Sequence, residues 1–163
     1  TFYLYFEDKE SLFGALVDEF FGRIRETLVW VFENVDPKKP IAAVFREETR
    51  QFFRIFNESK DLAHVFLRDG KSTGPRIDAK INDHYREILK ISSDTLKFAV
   101  DFGLLSQLDP QIATICIFGA IEKVYELWVR GELKGQQEQI ANETASFLIR
   151  GCGLDAQHAA SRP

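Results

Sequence analysis

Apolar residues recur at steps of three and four positions through almost the whole chain of 163 residues. This spacing places side chains on one face of an α-helix, which has about 3.6 residues per turn. No segment shows the strict alternation that indicates a half-buried strand, and no internal repeat is present. The pattern predicts an all-α bundle of six helices, over about residues 9–34, 41–57, 60–68, 76–102, 110–130 and 136–150.

Proline, glycine and aspartate mark the ends of these helices. The segment Asp36-Pro-Lys-Lys-Pro40 interrupts the apolar spacing, because proline lacks the N–H that continues a helix. Asp109 and Pro110 suit an N-cap and a first helical position, and Gly103 suits the residue that follows a helix end. Residues 155–163 have no apolar spacing, so we expect them to form a flexible tail.

The spacing also predicts which side of each helix is buried. In the first helix, Leu16 and Phe32 belong to the predicted apolar face. In the second helix, Phe45 and Phe52 belong to that face, whereas Glu48 is predicted on the opposite, solvent side.

Composition limits the possible partners. Hydrophobic residues make up 45% and charged residues 28% of the chain, which suits a globular protein. The net charge of −4 argues against nucleic-acid binding by the bulk charge of this chain. No apolar run approaches the roughly 18 residues of a membrane span. Cys116 and Cys152 lack CxxC spacing, as expected of reduced thiols in the cytoplasm. We therefore expect a cytoplasmic protein that does not enter a membrane.

The chain begins with a run of aromatic residues followed by a helix start, Thr1-Phe-Tyr-Leu-Tyr-Phe-Glu-Asp-Lys-Glu-Ser-Leu-Phe13. Asp8 stands where its carboxylate can cap the helix that follows. The run resembles the end of the helix-turn-helix of the TetR family of bacterial repressors. There, Thr-aromatic-Tyr-x-Tyr-Phe is followed by two variable residues and Lys-Glu-x-Leu.

The resemblance implies a domain organisation and an oligomeric state. Residues 1–8 would be the remnant of a DNA-binding domain whose other helices precede Thr1, and the absence of any Met fits a fragment. Residues 9–154 would form a TetR-type regulatory bundle that binds a ligand and dimerises, and residues 155–163 would be the tail.

The same resemblance assigns operator-DNA contacts to Thr1, Tyr3, Tyr5 and Lys9. Hydroxyl and ammonium groups suit phosphate oxygens, which position a protein on DNA without specifying the sequence. Ordinary aromatic packing is the alternative for Tyr3 and Tyr5. Operator binding would also need the residues upstream of Thr1.

A second segment, Gly103-Leu-Leu followed by Asp-Pro-x-x-Ala and Gly-Ala-Ile-Glu122, resembles regulators of the fatty-acid-degradation type, which release DNA on binding acyl-CoA. The fifteen Phe residues support an apolar ligand pocket, although a Phe-rich core without a cavity would use the same residues. The predicted ligand is elongated and apolar, an acyl chain or acyl-CoA, with a planar aromatic molecule as the alternative. It would bind among the first, second, fourth and fifth helices.

The candidate ligand-binding residues are mostly aromatic and come from several helices. An ordinary surface or core role is the alternative for His84. The full set is Phe20, Phe52, Phe53, Phe56, Phe66, His84, Tyr85, Ile88 and Phe98.

The fifth predicted helix carries two apolar stripes roughly 120° apart, counted at about 100° per residue. One stripe is sufficient for the core of a monomer, so the second predicts either a dimeric four-helix bundle or a helix sandwiched within its own subunit. The predicted homodimer interface, shared with the last helix, is Ile115, Phe118, Glu122, Tyr125, Val129, Ile140, Thr144 and Phe147.

No motif of an enzyme is present in the sequence. A Gly-rich phosphate loop, a GxSxG segment and a convincing set of metal ligands are all missing from it, so we expect no catalysis, no cofactor and no metal. The preferred function is a ligand-responsive transcriptional repressor whose first helix tilts when ligand binds. The alternative is a helical lipid-binding or chaperone-like module without DNA function.

Overall fold

The computed structural model describes residues 8–34, 40–67, 74–105 and 108–154, with the backbone alone for residues 64–67. Within these ranges the chain forms six α-helices and no strand, which confirms the predicted all-α fold. None of these helices combines the length and the apolar character needed to cross a membrane. The helices are α1 (Lys9–Asn34), α2 (Ile41–Glu58), α3 (Lys60–Leu67), α4 (Pro75–Asp101), α5 (Pro110–Val129) and α6 (Gln137–Gly151).

The predicted helix ends are set by local hydrogen bonds. Asp8 and Asp109 each accept from the backbone N–H three residues further on, at 2.7 Å and 2.9 Å, so both are N-caps. Gly103 adopts a φ of 69°, a conformation that a residue without a Cβ tolerates. The turn brings the N–H of Leu104 back to the carbonyl of Ala99 at 2.8 Å and closes a Schellman motif at the end of α4.

Helix α2 lies in the middle of the bundle, in contact with α1, α3, α5 and α6, while α4 packs against α1 and α5. The rings of Phe20 and Phe56 stack at 5.7 Å, and Phe56 meets Tyr125 edge-on at 5.1 Å. These side chains are almost inaccessible to solvent. Burial of one such ring stabilises the fold by about 1.5–3 kcal/mol, so apolar packing holds α1, α2 and α5 together.

Two predictions about helix faces are wrong. Leu16 and Phe32 of α1 are exposed, whereas Glu48 of α2 is buried. Helix α2 contacts four other helices, so its buried arc is wider than a single stripe. Glu48 falls within that arc because it lies three residues after Phe45 and four before Phe52.

Candidate ligand-binding site

A cavity of about 50 Å³ lies between α1, α2, α4 and α5, the four helices among which the sequence predicts the ligand. It is formed by the C-terminal halves of α1 and α4 and the N-terminal halves of α2 and α5. One water molecule needs about 10–15 Å³ of such a volume, so the cavity has room for only a few waters. A long-chain ligand therefore requires the walls to move apart. The walls are mainly apolar and include Leu28, Val31, Val44, Leu96, Ile117 and Phe118.

Three buried polar side chains interrupt these apolar walls. Glu48 and Ser92 are each 8% exposed, and Thr114 is 1% exposed. Burial raises the pKa of the Glu48 carboxyl to about 8, so this group is mostly protonated at neutral pH. The Ser92 and Thr114 hydroxyl oxygens have no hydrogen-bond partner within the described structure. The cavity therefore offers two hydroxyl groups that the described part of the chain leaves unpaired.

Aromatic rings connect the cavity wall with the surface of the described structure. Phe32 and Phe98 line the cavity and are also exposed. Their ring centroids are 5.7 Å apart, and Phe98 lies 4.2 Å from the exposed ring of Phe102. We call Phe32, Phe98 and Phe102 the mouth of the cavity.

Among the predicted ligand-binding residues whose side chains are described, only Phe98 lines this cavity. Large rings from facing helices fill the middle of the bundle at close-packed density and leave no space there, so the cavity lies nearer one end. The side chain of Phe66 lies outside the described residues. The predicted ligand residues that are packed in the core instead are Phe20, Phe52, Phe53, Phe56 and Ile88.

His84 joins α4 to α1. Its Nε2 lies 2.8 Å from Asp18, and its ring stacks on Phe21 with centroids 5.1 Å apart. Lys80 also donates to Asp18, at 2.5 Å, and this hydrogen bond is the main reason that the pKa of Asp18 lies below its usual value. The cavity gives no support to a ligand-binding role for His84, which stays a prediction.

Tyr85 joins α4 to α5 in a similar way. Its hydroxyl donates to the Glu122 carboxylate at 3.4 Å. Burial raises the pKa of Glu122 to about 7 and, together with the Glu122 charge and hydrogen bond, raises the pKa of Tyr85 above its ordinary value. The ligand role of Tyr85 and the interface role of Glu122 remain predictions, because the structure pairs these residues within one chain.

Some residues of the predicted dimer interface are exposed in the structure, and others are buried. Ile115 and Phe147 are 61% and 66% exposed, and Val129 is exposed as well. The exposed side of α5 also carries Ile112, which the sequence analysis did not select. Contacts of α5 with α2, α3, α4 and α6 cover one predicted stripe and part of the other over a wide arc. The interface residues that this arc or the chain's own core buries are Phe118, Tyr125, Ile140 and Thr144. Burial within the single chain gives no support to an interface role for these four residues, which stays a prediction.

The predicted DNA contacts remain untested. Thr1, Tyr3 and Tyr5 lie outside the described residues. Lys9 is exposed at the first position of α1, where a phosphate could reach it. Within the described ranges, no group of three or more His, Cys, Asp or Glu side chains could hold a metal ion.

The three polar residues of the cavity are not among the predicted site residues, although the sequence contains a signal for them. Glu48 lies in register with Phe45 and Phe52, and Ser92 lies four residues from both Ile88 and Leu96. Thr114 likewise precedes Ile117 by three positions. A polar residue in step with an apolar face indicates a buried polar group, which the apolar spacing alone does not reveal.

The bundle is similar to transcription regulators of known structure. One is FadR from Bacillus subtilis in complex with stearoyl-CoA, with a TM-score of 0.70 and 22% identity, covering 92% of this chain and 80% of that one. Another is AibR in complex with isovaleryl coenzyme A and operator DNA, with a TM-score of 0.66 and 16% identity, covering 90% and 77%. These likenesses show a shared fold.

Sequence comparison agrees with the structural likeness. The chain is 26% identical over 156 residues to the fatty acid metabolism regulator protein of Bacillus subtilis (strain 168), covering 93% of this chain and 77% of that protein. The profile of the family described as "Tetracyclin repressor-like, C-terminal domain" matches residues 38–152. Because this match spans well over half of the chain, the chain belongs to the tetracyclin repressor-like C-terminal domain family, as the resemblance predicted.

Proposed function

We propose that residues 9–154 form the ligand-binding and dimerisation domain of a non-catalytic, cytoplasmic transcription regulator. In this proposal a homodimer leaves operator DNA when an elongated apolar molecule enters the cavity between α1, α2, α4 and α5. The observation that carries the proposal is this mainly apolar cavity in a chain of a repressor family. Acyl-CoA is the best candidate ligand, because two regulators with the same fold bind stearoyl-CoA and isovaleryl coenzyme A.

The shape of the cavity supports a ligand that opens it. Each buried CH₂ group of an acyl chain contributes about 0.8 kcal/mol, so a long chain can offset the cost of separating the helices. The cavity of about 50 Å³ would then enlarge between the C-terminal halves of α1 and α4. A ligand that binds the enlarged cavity more tightly than the closed one supplies the difference in affinity that a conformational change requires.

Helix α1 is the element that would carry the signal. Its 26 residues span about 39 Å at 1.5 Å per residue. The cavity touches the C-terminal half of α1 through Leu28, Val31 and Phe32, while the family resemblance places the DNA reader before its N-terminus. A small tilt at one end therefore moves the other end. This coupling would change the spacing of the two readers, which must match successive major grooves about 34–36 Å apart.

Calorimetry with acyl-CoA molecules from C8 to C18 tests the ligand class. Each added methylene should tighten binding by up to about fourfold until the cavity is full. Ala99→Leu, which adds volume to the cavity wall, should weaken binding of the longest chains most. Ala79→Leu is the matched control, because Ala79 is an exposed residue of the same helix.

Three outcomes would count against this proposal. Affinity that ignores chain length, or preferential binding of planar aromatic molecules, removes the acyl ligand. Chain-length-dependent binding that leaves the operator affinity of the intact regulator unchanged favours a lipid-binding module without DNA function.

A further inference from the structure

We infer that the ligand carries an oxygen atom on its apolar chain, as a hydroxyl or keto group, and that Glu48, Ser92 and Thr114 recognise this oxygen inside the cavity. The inference rests on the proposed acyl ligand and specifies it further. It is carried by three polar side chains, each more than nine-tenths buried, that line the same mainly apolar cavity.

The two hydroxyl groups are unusual within this bundle. Buried or half-buried threonines on the same and neighbouring helices donate to the carbonyl four residues earlier, as Thr49, Thr95 and Thr144 do at 2.8–3.0 Å. The Ser92 and Thr114 hydroxyls make no such bond and have no other partner within the described structure. Buried polar groups are nearly always satisfied in folded proteins, so a partner from outside the described part of the chain is expected here.

The hydrogen-bonding capacity of the three groups favours a ligand atom that accepts hydrogen bonds. Among the described residues no charged neighbour affects the pKa of Glu48, and burial alone raises it to about 8. The neutral carboxyl can therefore donate one hydrogen bond at pH 7, and each hydroxyl can donate another. A keto oxygen accepts two of these hydrogen bonds, and a hydroxyl oxygen can also donate one in return. A carboxylate on the ligand would be disfavoured, because the described lining residues supply no cation and a charge is costly to bury unpaired.

The position of the polar groups decides which part of the ligand they meet. Ser92 precedes Phe98 of the mouth by six residues of α4, which is about 9 Å along the helix. Among the residues of α2 that line the cavity, Glu48 is the farthest from the start of the helix at Ile41. A bulky coenzyme A group would have to stay at or outside the mouth, with its thioester beside it. The oxygen that reaches the three polar groups therefore belongs to the chain and not to the thioester.

The test compares pairs of acyl-CoA molecules of equal length, with and without a hydroxyl in the distal half of the chain. Calorimetry on the unmodified protein should show about tenfold tighter binding of the hydroxylated member, as expected for one net hydrogen bond. Glu48→Leu and Thr114→Val should abolish this preference, while Glu48→Gln, which keeps a donor, should retain it. Thr95→Val is the matched control, because Thr95 also lines the cavity but its hydroxyl is already bonded to Ile91.

The outcomes separate this inference from the proposed function. Chain-length-dependent binding with no preference for the hydroxylated member overturns the inference and leaves the acyl ligand standing. A preference that survives both Glu48→Leu and Thr114→Val, or that disappears equally in Thr95→Val, also overturns it. Tighter binding of a chain bearing an amine shows that Glu48 serves a cation instead, and absence of binding by every acyl-CoA overturns both proposals. Thermal unfolding of each variant confirms that the comparison is made on folded protein.

Discussion

At the scale of single residues, the buried carboxyl of Glu48 couples stability to pH. Its pKa rises from an ordinary value of 4.5 to about 8 in the folded chain, because burial favours the protonated form. Between these two values the folded state holds a proton that the unfolded state has released. The contribution of Glu48 to the free energy of unfolding is therefore fully present below about pH 4.5. It is lost progressively as pH rises to about 8.

This coupling predicts that Glu48→Gln flattens the pH dependence of stability. Urea unfolding between pH 5 and pH 8 should show the unmodified chain losing stability relative to the variant, by at most about 1.4 kcal/mol per pH unit. Glu122→Gln is the comparison, since the pKa of Glu122 is raised only to about 7 and its effect should end near that pH. Parallel stability curves for the unmodified chain and Glu48→Gln would show that the carboxyl is not buried as described.

At the scale of elements, the contact between α1 and α4 combines an ion-pair cluster with an aromatic contact. Asp18 meets Lys80 and His84, and Phe21 stacks on the same His84 ring. The Asp18 side chain is 51% exposed, so water screens its charge, whereas Phe21 is almost fully buried. Packing should therefore outweigh charge in holding these two helices together.

Two substitutions on α1 test this ranking. Phe21→Ala should lower the free energy of unfolding by about 3–5 kcal/mol, because it leaves a cavity in the core. Asp18→Asn should lower it by less than about 1 kcal/mol at neutral pH. The pKa of Asp18 is depressed in the fold, so its small contribution should be present above its usual pKa and disappear as pH falls through the depressed value. Equal losses for the two variants in urea unfolding would show that the ion pairs dominate.

The element boundaries were predictable from sequence, because each depends on a few local residues. Asp8 and Asp109 cap helices through bonds that span three residues, and Gly103 ends α4 by its own conformation. The buried faces were less predictable, because they depend on how many neighbours a helix has. Helix α2 has four, and this is why Glu48 is inside. The site was predicted at the level of its helices but not of its residues, since the apolar spacing that identifies a core does not show where that core leaves a gap.

At the scale of the whole molecule, helices α5 and α6 expose large apolar side chains. Helices α5 and α6 pack against each other, and Ile112, Ile115 and Phe147 stand exposed on them. Gly119 is also exposed on α5, with no neighbouring atom within 4 Å of the position that a Cβ would occupy. An outer face of this composition permits close approach of another helix. A symmetric dimer would bury such a face against its own copy, and α5 and α6 of the two chains would then form a four-helix bundle.

We therefore predict that the chain is a dimer at micromolar concentration and that Ile115→Glu dissociates it. A carboxylate at this position would be buried without a partner in the dimer but solvated in the monomer, which strongly disfavours association. Light scattering should give the mass of two chains for the unmodified protein and of one for Ile115→Glu, with helical content unchanged.

Leu16→Glu is the control, because Leu16 is an exposed apolar residue of α1 and its replacement should leave the dimer intact. Phe118→Glu should instead unfold the chain, since Phe118 is buried within one subunit. A monomeric mass for the unmodified protein, or dissociation by Leu16→Glu, would place the interface elsewhere or remove it.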